Sequence, residues 1–242
     1  MAVQVNNFSE ENIFIISEDS KSFLLYLEIF LVNIKKFRIQ NNNSILKNKK
    51  GEVKNLKNFI KNIPKNKKTI KLTIFHHKSD PTSIVEFAKE IKNNHKNINR
   101  IYCVFDYVFK SEKENHKKYK NTISQKNNLG KINIEIIESI PSYEFWLLTH
   151  IKDYSDKSFS NNNEVLREIN NTMSLKNNNK KFDYKKNETE SLKKEFVIKE
   201  NIDKAIRTCE KLDKNHKENE SKEANPSSKI YELMTYINNL TN

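Results

Sequence analysis

Two apolar runs in this chain stop on carboxylates. Ile101-Tyr102-Cys103-Val104-Phe105 ends at Asp106, and Ile13-Phe14-Ile15-Ile16 runs into Ser17-Glu18-Asp19. An unbroken run of β-formers reads as a strand buried on both faces, as in a parallel sheet. Ligands of open α/β sheets bind beyond the carboxyl ends of the strands. Glu18 and Asp106 therefore stand where chemistry would be done, and two such acids on adjacent strands would offer hard oxygen ligands to a metal such as Mg²⁺ or Mn²⁺. Either acid alone is equally well explained as the cap of a following helix; the pair is the sharper signal. A third acid, Glu144, follows Ser142 at the start of an apolar helix. Ser142 is a good N-cap there, and a first-turn carboxylate suits the helix dipole.

The elements that must position these acids alternate between strand and helix. After the first strand, Asp19 or Ser20 is placed to cap a helix whose apolar face carries Phe23, Leu24, Leu27, Leu31 and Ile34. Leu56, Phe59 and Ile60 suggest a short helix broken at Pro64. Residues 69–75 read as strand two. Asp80-Pro81 then places an N-cap before a proline at the first helical position. The central strand at 101–106 is third, and residues 132–137 form the fourth. The spacing predicts an α/β domain over residues 1–152 with a four-stranded, mostly parallel sheet flanked by helices. A helical C-terminal extension over 153–242 follows, with a short helix around Val165, a better one over 198–212, and a last one opened by Pro226.

Charge narrows the class of partner. The 242 residues carry 44 Lys+Arg against 31 Asp+Glu, a net +13, which favours polyanions, nucleic acid first. An AT-rich genome gives the same lysine-rich balance with no partner behind it. The positive charge is densest just beyond Asp106, where Lys110, Lys113, Lys117, Lys118 and Lys120 would meet a phosphate backbone. Cys103 and Cys209 have no disulfide or zinc spacing, which suits a reducing, cytoplasmic compartment. No apolar run reaches the ~18 residues of a membrane span.

Three blocks then carry a resemblance. Residues 13–27, IFIISEDSKSFLLYL, are similar to the first block of the RloB-like proteins of the Toprim superfamily, with Glu18, Lys21, Ser22 and Tyr26 on matching positions. Residues 101–109 resemble that family's strand ending in Asp-x-Asp, and 141–150, PSYEFWLLTH, its Pro-Cys-Phe-Glu-x-Trp-Leu-Leu-x-His block. Weaker similarity continues at Phe182-Asp183-Tyr184-Lys185 and Asn225-Pro226-Ser227-Ser228.

The resemblance implies a Toprim-like fold and a Mg²⁺-dependent nuclease belonging to prokaryotic defence loci, often beside an ATPase partner. In that frame Glu18 is an acid/base group or metal ligand, Asp106 the main metal ligand, Glu144 an auxiliary acid, and Lys21 a nucleic-acid contact. Three positions depart from the pattern: Asp19 stands for the turn glycine, Phe23 for an acid, and Val108 for the second Asp of Asp-x-Asp. A catalytically degenerate subunit, binding nucleic acid or an ATPase without cleaving, therefore stays open beside the nuclease.

Overall fold

The four strands expected from the sequence lie side by side. In the computed structural model, β1 (Glu10–Ser17), β6 (Lys68–His76), β7 (Arg100–Asp106) and β8 (Ile134–Ile140) run in the order β6-β1-β7-β8, and all three pairings are parallel. The structure describes residues 10–19, 21–40, 47–48, 51–52, 57–63, 68–77, 80–109, 113–154, 158–186, 188–218 and 224–241.

Side chains alternate between the two faces, the period of two that strand geometry requires. Ile13, Ile15, Ile70, Leu72, Ile74, Tyr102, Val104 and Ile137 enter one core. Ile16, Phe75, Ile101, Cys103, Phe105, Ile134 and Ile136 enter the other. Both faces are covered, which is why these strands read as continuous apolar runs.

The sheet has seven strands rather than four. The stretch expected as a short helix is β5 (Lys57–Ile63), antiparallel to β6 along its whole length; Leu56 and Pro64 lie outside the described residues. A turn of helix there would leave the edge of β6 unpaired, and pairing overrides a weak local preference. Beyond β5 lies β2 (Arg38–Gln40), also antiparallel. At the opposite edge β9 (Ser227–Ser228) pairs with β8 through Ser139 and Ile140. A separate two-stranded ribbon joins β3 (Lys47–Asn48) to β4 (Gly51–Glu52). The fourth strand begins at Ile134 rather than Ile132, because a turn follows Gly130 and leaves Ile132 exposed.

Helices cover both faces. On one lie α2 (Pro81–Asn94), α3 (Lys113–Ser124) and α4 (Lys126–Gly130), which contribute Ile84, Phe87, Tyr119 and Leu129 to the second core. Asp80 caps α2 as expected, accepting from the backbone N–H of Thr82 (3.0 Å) and Ser83 (3.2 Å). The other face carries α1 (Ser22–Ile29), extended by a π-helical turn at Phe30–Ile34, and α5 (Tyr143–Ile151). It also carries α6 (Asn162–Lys176), α7 (Thr189–Ser191) with a π-turn at Leu192–Phe196, α8 (Lys199–Glu218) and α9 (Ile230–Thr241). The last helix thus starts past Pro226, after β9. Helices from 153–242 share one apolar cluster with α1, α5 and the sheet. Cys103 and Cys209 are free and buried. Among the described residues no helix is long and apolar enough to cross a membrane.

At the centre of the first core α5 is buried from Tyr143 to His150. His150 Nδ1 lies 2.8 Å from the Trp146 carbonyl, which only accepts, so Nδ1 carries the proton. Nε2 is then the acceptor for the Tyr26 hydroxyl at 3.0 Å. Burial pushes the His150 imidazole down to about 3, against the backbone hydrogen bond to Trp146 that acts to raise it. The unfolded chain takes up this proton below about 6.5 while the folded one does not, so stability is whole above that pH and falls below it. The expected contribution is a loss of up to about 1.4 kcal/mol per pH unit between about 6.5 and about 3. Chemical denaturation of wild type and His150→Gln at pH 7 and pH 5 checks this: the wild type should show the steeper loss.

Candidate functional site

The first turn of α1 is built on Asp19. Its Oδ1 accepts the backbone N–H of Lys21 (2.6 Å) and Ser22 (3.1 Å), and Oδ2 that of Phe23 (3.4 Å). These are the orphan donors that any helix start must satisfy. Asp19 is therefore the cap, and Ser20 lies outside the described residues. For this acid the capping explanation holds.

Asp106 also meets a helix start, but not that of the next helix in sequence. Its Oδ1 accepts from the backbone N–H of Tyr143 at 2.7 Å, the first residue of α5, which follows β8. The order β1-β7-β8 places α5's N-terminus over the end of β7, so a carboxylate is favoured there by the helix dipole as well as by the bond itself. Glu18 continues the β1–β7 ladder, its backbone N–H donating to the Val104 carbonyl at 2.9 Å. The Glu18 Oε2 lies 3.4 Å from the backbone N–H of Asp106. The two sequence-predicted acids are thus neighbours at the carboxyl ends of adjacent parallel strands.

Glu144 joins them from the first turn of α5. It is 1% exposed. Its Oε2 accepts from the Ser142 hydroxyl at 2.8 Å, and its Oε1 pairs with the Lys186 ammonium at 2.8 Å. Burial pushes the Asp106 carboxyl well above the usual range, and the charges of Glu144 and Glu18 push it further, against the bond from Tyr143. Burial works against the Lys186 charge, but Glu144, Asp19 and Asp106 together hold it above the ordinary lysine value. A pocket of about 240 Å³ opens between these groups, lined by Glu18, Asp19, Asp106, Tyr143, Lys186 and Ile230 among others.

Lys186 is the residue that sequence reasoning missed. It follows the weak block at 182–185 and has no strand or helix to announce it. The segment is fixed by three hydrogen bonds: Phe182 N–H to Ser174 Oγ (2.9 Å), Tyr184 N–H to Asn170 Oδ1 (2.8 Å), and Ser22 Oγ to the Lys186 carbonyl (3.0 Å).

The candidate nucleic-acid contacts are exposed. Lys113, Lys117, Lys118 and Lys120 all lie on α3, which buries Tyr119 and Thr122 instead. Lys118 is 3.8 Å from Glu114. The helix is tied to the end of β7 by His116, whose Nδ1 lies 2.6 Å from the Val108 carbonyl, and by ring contacts of Tyr107 with His116 and Tyr119. Lys21 is exposed beside the start of α1, and Lys110 lies outside the described residues. Val108, two residues past Asp106, packs partly against the second core.

The family model for RloB-like protein matches residues 13–237. The chain belongs to the RloB-like protein family. The match takes in all three acid-bearing segments and the helices that bring in Lys186. No curated protein matches the sequence.

The crowding of carboxylates in this RloB-like chain has a measurable cost. Asp106→Asn keeps an oxygen for the Tyr143 N–H and removes one charge beside Glu18 and Glu144. In chelator-containing buffer at neutral pH the variant is expected to melt a few degrees higher than wild type, as read by differential scanning calorimetry. A lower melting temperature would mean that the Asp106 charge is compensated more fully than this geometry implies.

Proposed function

We propose that this RloB-like protein is a metal-dependent nuclease that cleaves phosphodiester bonds of RNA or DNA. The observation that carries this reading is the convergence of Glu18 and Asp106 at the ends of neighbouring parallel strands, in one pocket with Lys186. The helix α3, tied to the end of β7 through His116, displays exposed lysines. Acids for a cation and cations for a polyanion thus both follow on β7.

The donor set fits Mg²⁺ or Mn²⁺. Mg²⁺ keeps several waters and commonly rests on one or two carboxylates plus substrate phosphates. Glu18 and Asp106 would hold it, Asp106 through oxygen lone pairs that the Tyr143 N–H leaves free. Among the described residues no three His, Cys, Asp or Glu side chains are grouped to hold a metal. When bound, the ion would polarise a phosphoryl oxygen and make a bound water more acidic. The rest falls to the chain's own residues. The α3 lysines hold the backbone, and α5 orients Asp106 through the Tyr143 N–H.

A second reading is a catalytically degenerate subunit that binds nucleic acid or an ATPase partner without cleaving. Val108 and Phe23, both apolar where the family pattern has acids, favour it. Under either reading we place the protein in a prokaryotic anti-phage defence locus, on the strength of its family.

Wild type is expected to cleave a mixed panel of RNA and DNA only when Mg²⁺ or Mn²⁺ is added. Asp106→Asn should lower the rate by at least about 10²-fold, the scale of losing one positioned catalytic group, with its circular dichroism unchanged. Absence of metal-dependent cleavage in wild type, with nucleic-acid binding retained, would decide for the second reading.

Binding itself has a separate test. Replacing Lys113, Lys117, Lys118 and Lys120 by Ser should flatten the dependence of log affinity on log salt by about 0.9 for each duplex phosphate no longer neutralised. Fluorescence anisotropy between low and moderate salt reads that slope; an unchanged slope would assign the basic charge to composition alone.

A further inference from the structure

The pocket holds a cation already. Lys186 Nζ is 2.8 Å from Glu144 Oε1 and lines the same pocket as Glu18, Asp19 and Asp106. The pair is lopsided in exposure: the Glu144 side chain is 1% exposed and that of Lys186 52%. A buried carboxylate with one oxygen on Ser142 and the other on an ammonium has little left to offer a metal. The carbonyl of Lys186 is tied to Ser22 and its segment to α6, so the ammonium is delivered by a fixed backbone and not by a free tail. A second, independent feature marks the pocket as a ligand site. Tyr143, 2% exposed, is one of its lining residues, and among the described residues its buried hydroxyl has no hydrogen-bond partner. A buried donor of this kind is costly unless an acceptor arrives.

We infer that Lys186, anchored by Glu144, is a built-in cation of the centre, so that Glu18 and Asp106 take a single divalent ion and Glu144 serves as the anchor of the lysine instead of as a metal ligand. The inference rests on the metal-dependent reading above and adds to it the number of ions and the roles of two residues. It also accounts for Val108: a centre with an ammonium fixed beside one ion has no need of the extra carboxylate that a second ion would require. Four carboxylates, Glu18, Asp19, Asp106 and Glu144, then face one ammonium and one divalent ion, a sum near neutrality once Asp19 is assigned to the α1 N-terminus.

The test is Mn²⁺ affinity and stoichiometry, read by electron paramagnetic resonance of free Mn²⁺ without substrate, so that turnover plays no part. Wild type is expected to bind one Mn²⁺. Lys186→Met removes the neighbouring positive charge and releases Glu144, and should bind Mn²⁺ about tenfold tighter or more. Lys186→Arg keeps the charge and should stay close to wild type. Glu144→Gln leaves the ammonium without its anchor and should weaken binding. Because Lys186 is half-exposed, the Met and Arg variants should keep the wild-type circular dichroism; if Met does not, the Arg and Gln arms still decide. Wild type binding two ions, Lys186→Met binding no tighter, Lys186→Arg binding as tightly as Met, or Glu144→Gln binding as well as wild type would each overturn the inference alone. Wild type binding no Mn²⁺ would overturn the metal-dependent reading with it.

Discussion

Like charges held at close quarters are the constraint on which the rest of this structure depends. The parallel order β1-β7-β8 delivers Glu18, Asp106 and the start of α5 with Glu144 to one edge, and a low-dielectric setting makes their mutual repulsion expensive. Each acid is answered by something specific. Asp19 takes the N–H groups of α1, Asp106 that of Tyr143, and Glu144 the Ser142 hydroxyl and Lys186. The C-terminal third of the chain supplies the only ammonium among the described residues that line the pocket. The fold around the sheet can be understood as the means of bringing that lysine there.

The central four strands and the neighbourhood of Glu18 and Asp106 were legible because the physics was local. Apolar runs buried on both faces announce themselves, and so do the residues that terminate them. Asp80-Pro81 was legible for the same reason, since a cap and a first-turn proline act within three residues. The edge strands were not. β5 carries Phe59 as its one fully buried apolar side chain, and nothing in its other six residues, all half-buried or exposed, separates a strand from a helix until β6 is there to pair with. β9 is two serines long and exists only through Ser139 and Ile140 of β8.

Within the site the same division holds. Glu144 was visible, but its burial and its partner were not, because a first-turn glutamate is normally solvated. Lys186 had no sequence signal beyond its place after a weak family block. Its role arises from its bond with Ser22, more than 150 residues away, which no reading of periodicity recovers. Asp106 was expected to cap the next helix if it capped anything; the parallel topology hands it to α5 instead.

The pocket draws on chain segments around residues 17–19, 23, 104–106, 139–143, 186 and 230. During synthesis the strands bearing Glu18 and Asp106 leave the ribosome well before Lys186 and the Ser227–Ser228 strand. A nascent chain can therefore pair β6, β1, β7 and β8 while its acid edge is still unneutralised and open. The centre is completed only when Lys186 and Ile230 have been made. A chain broken off early is left with the acids but without their ammonium, so the timing of translation itself separates having the sheet from having the site.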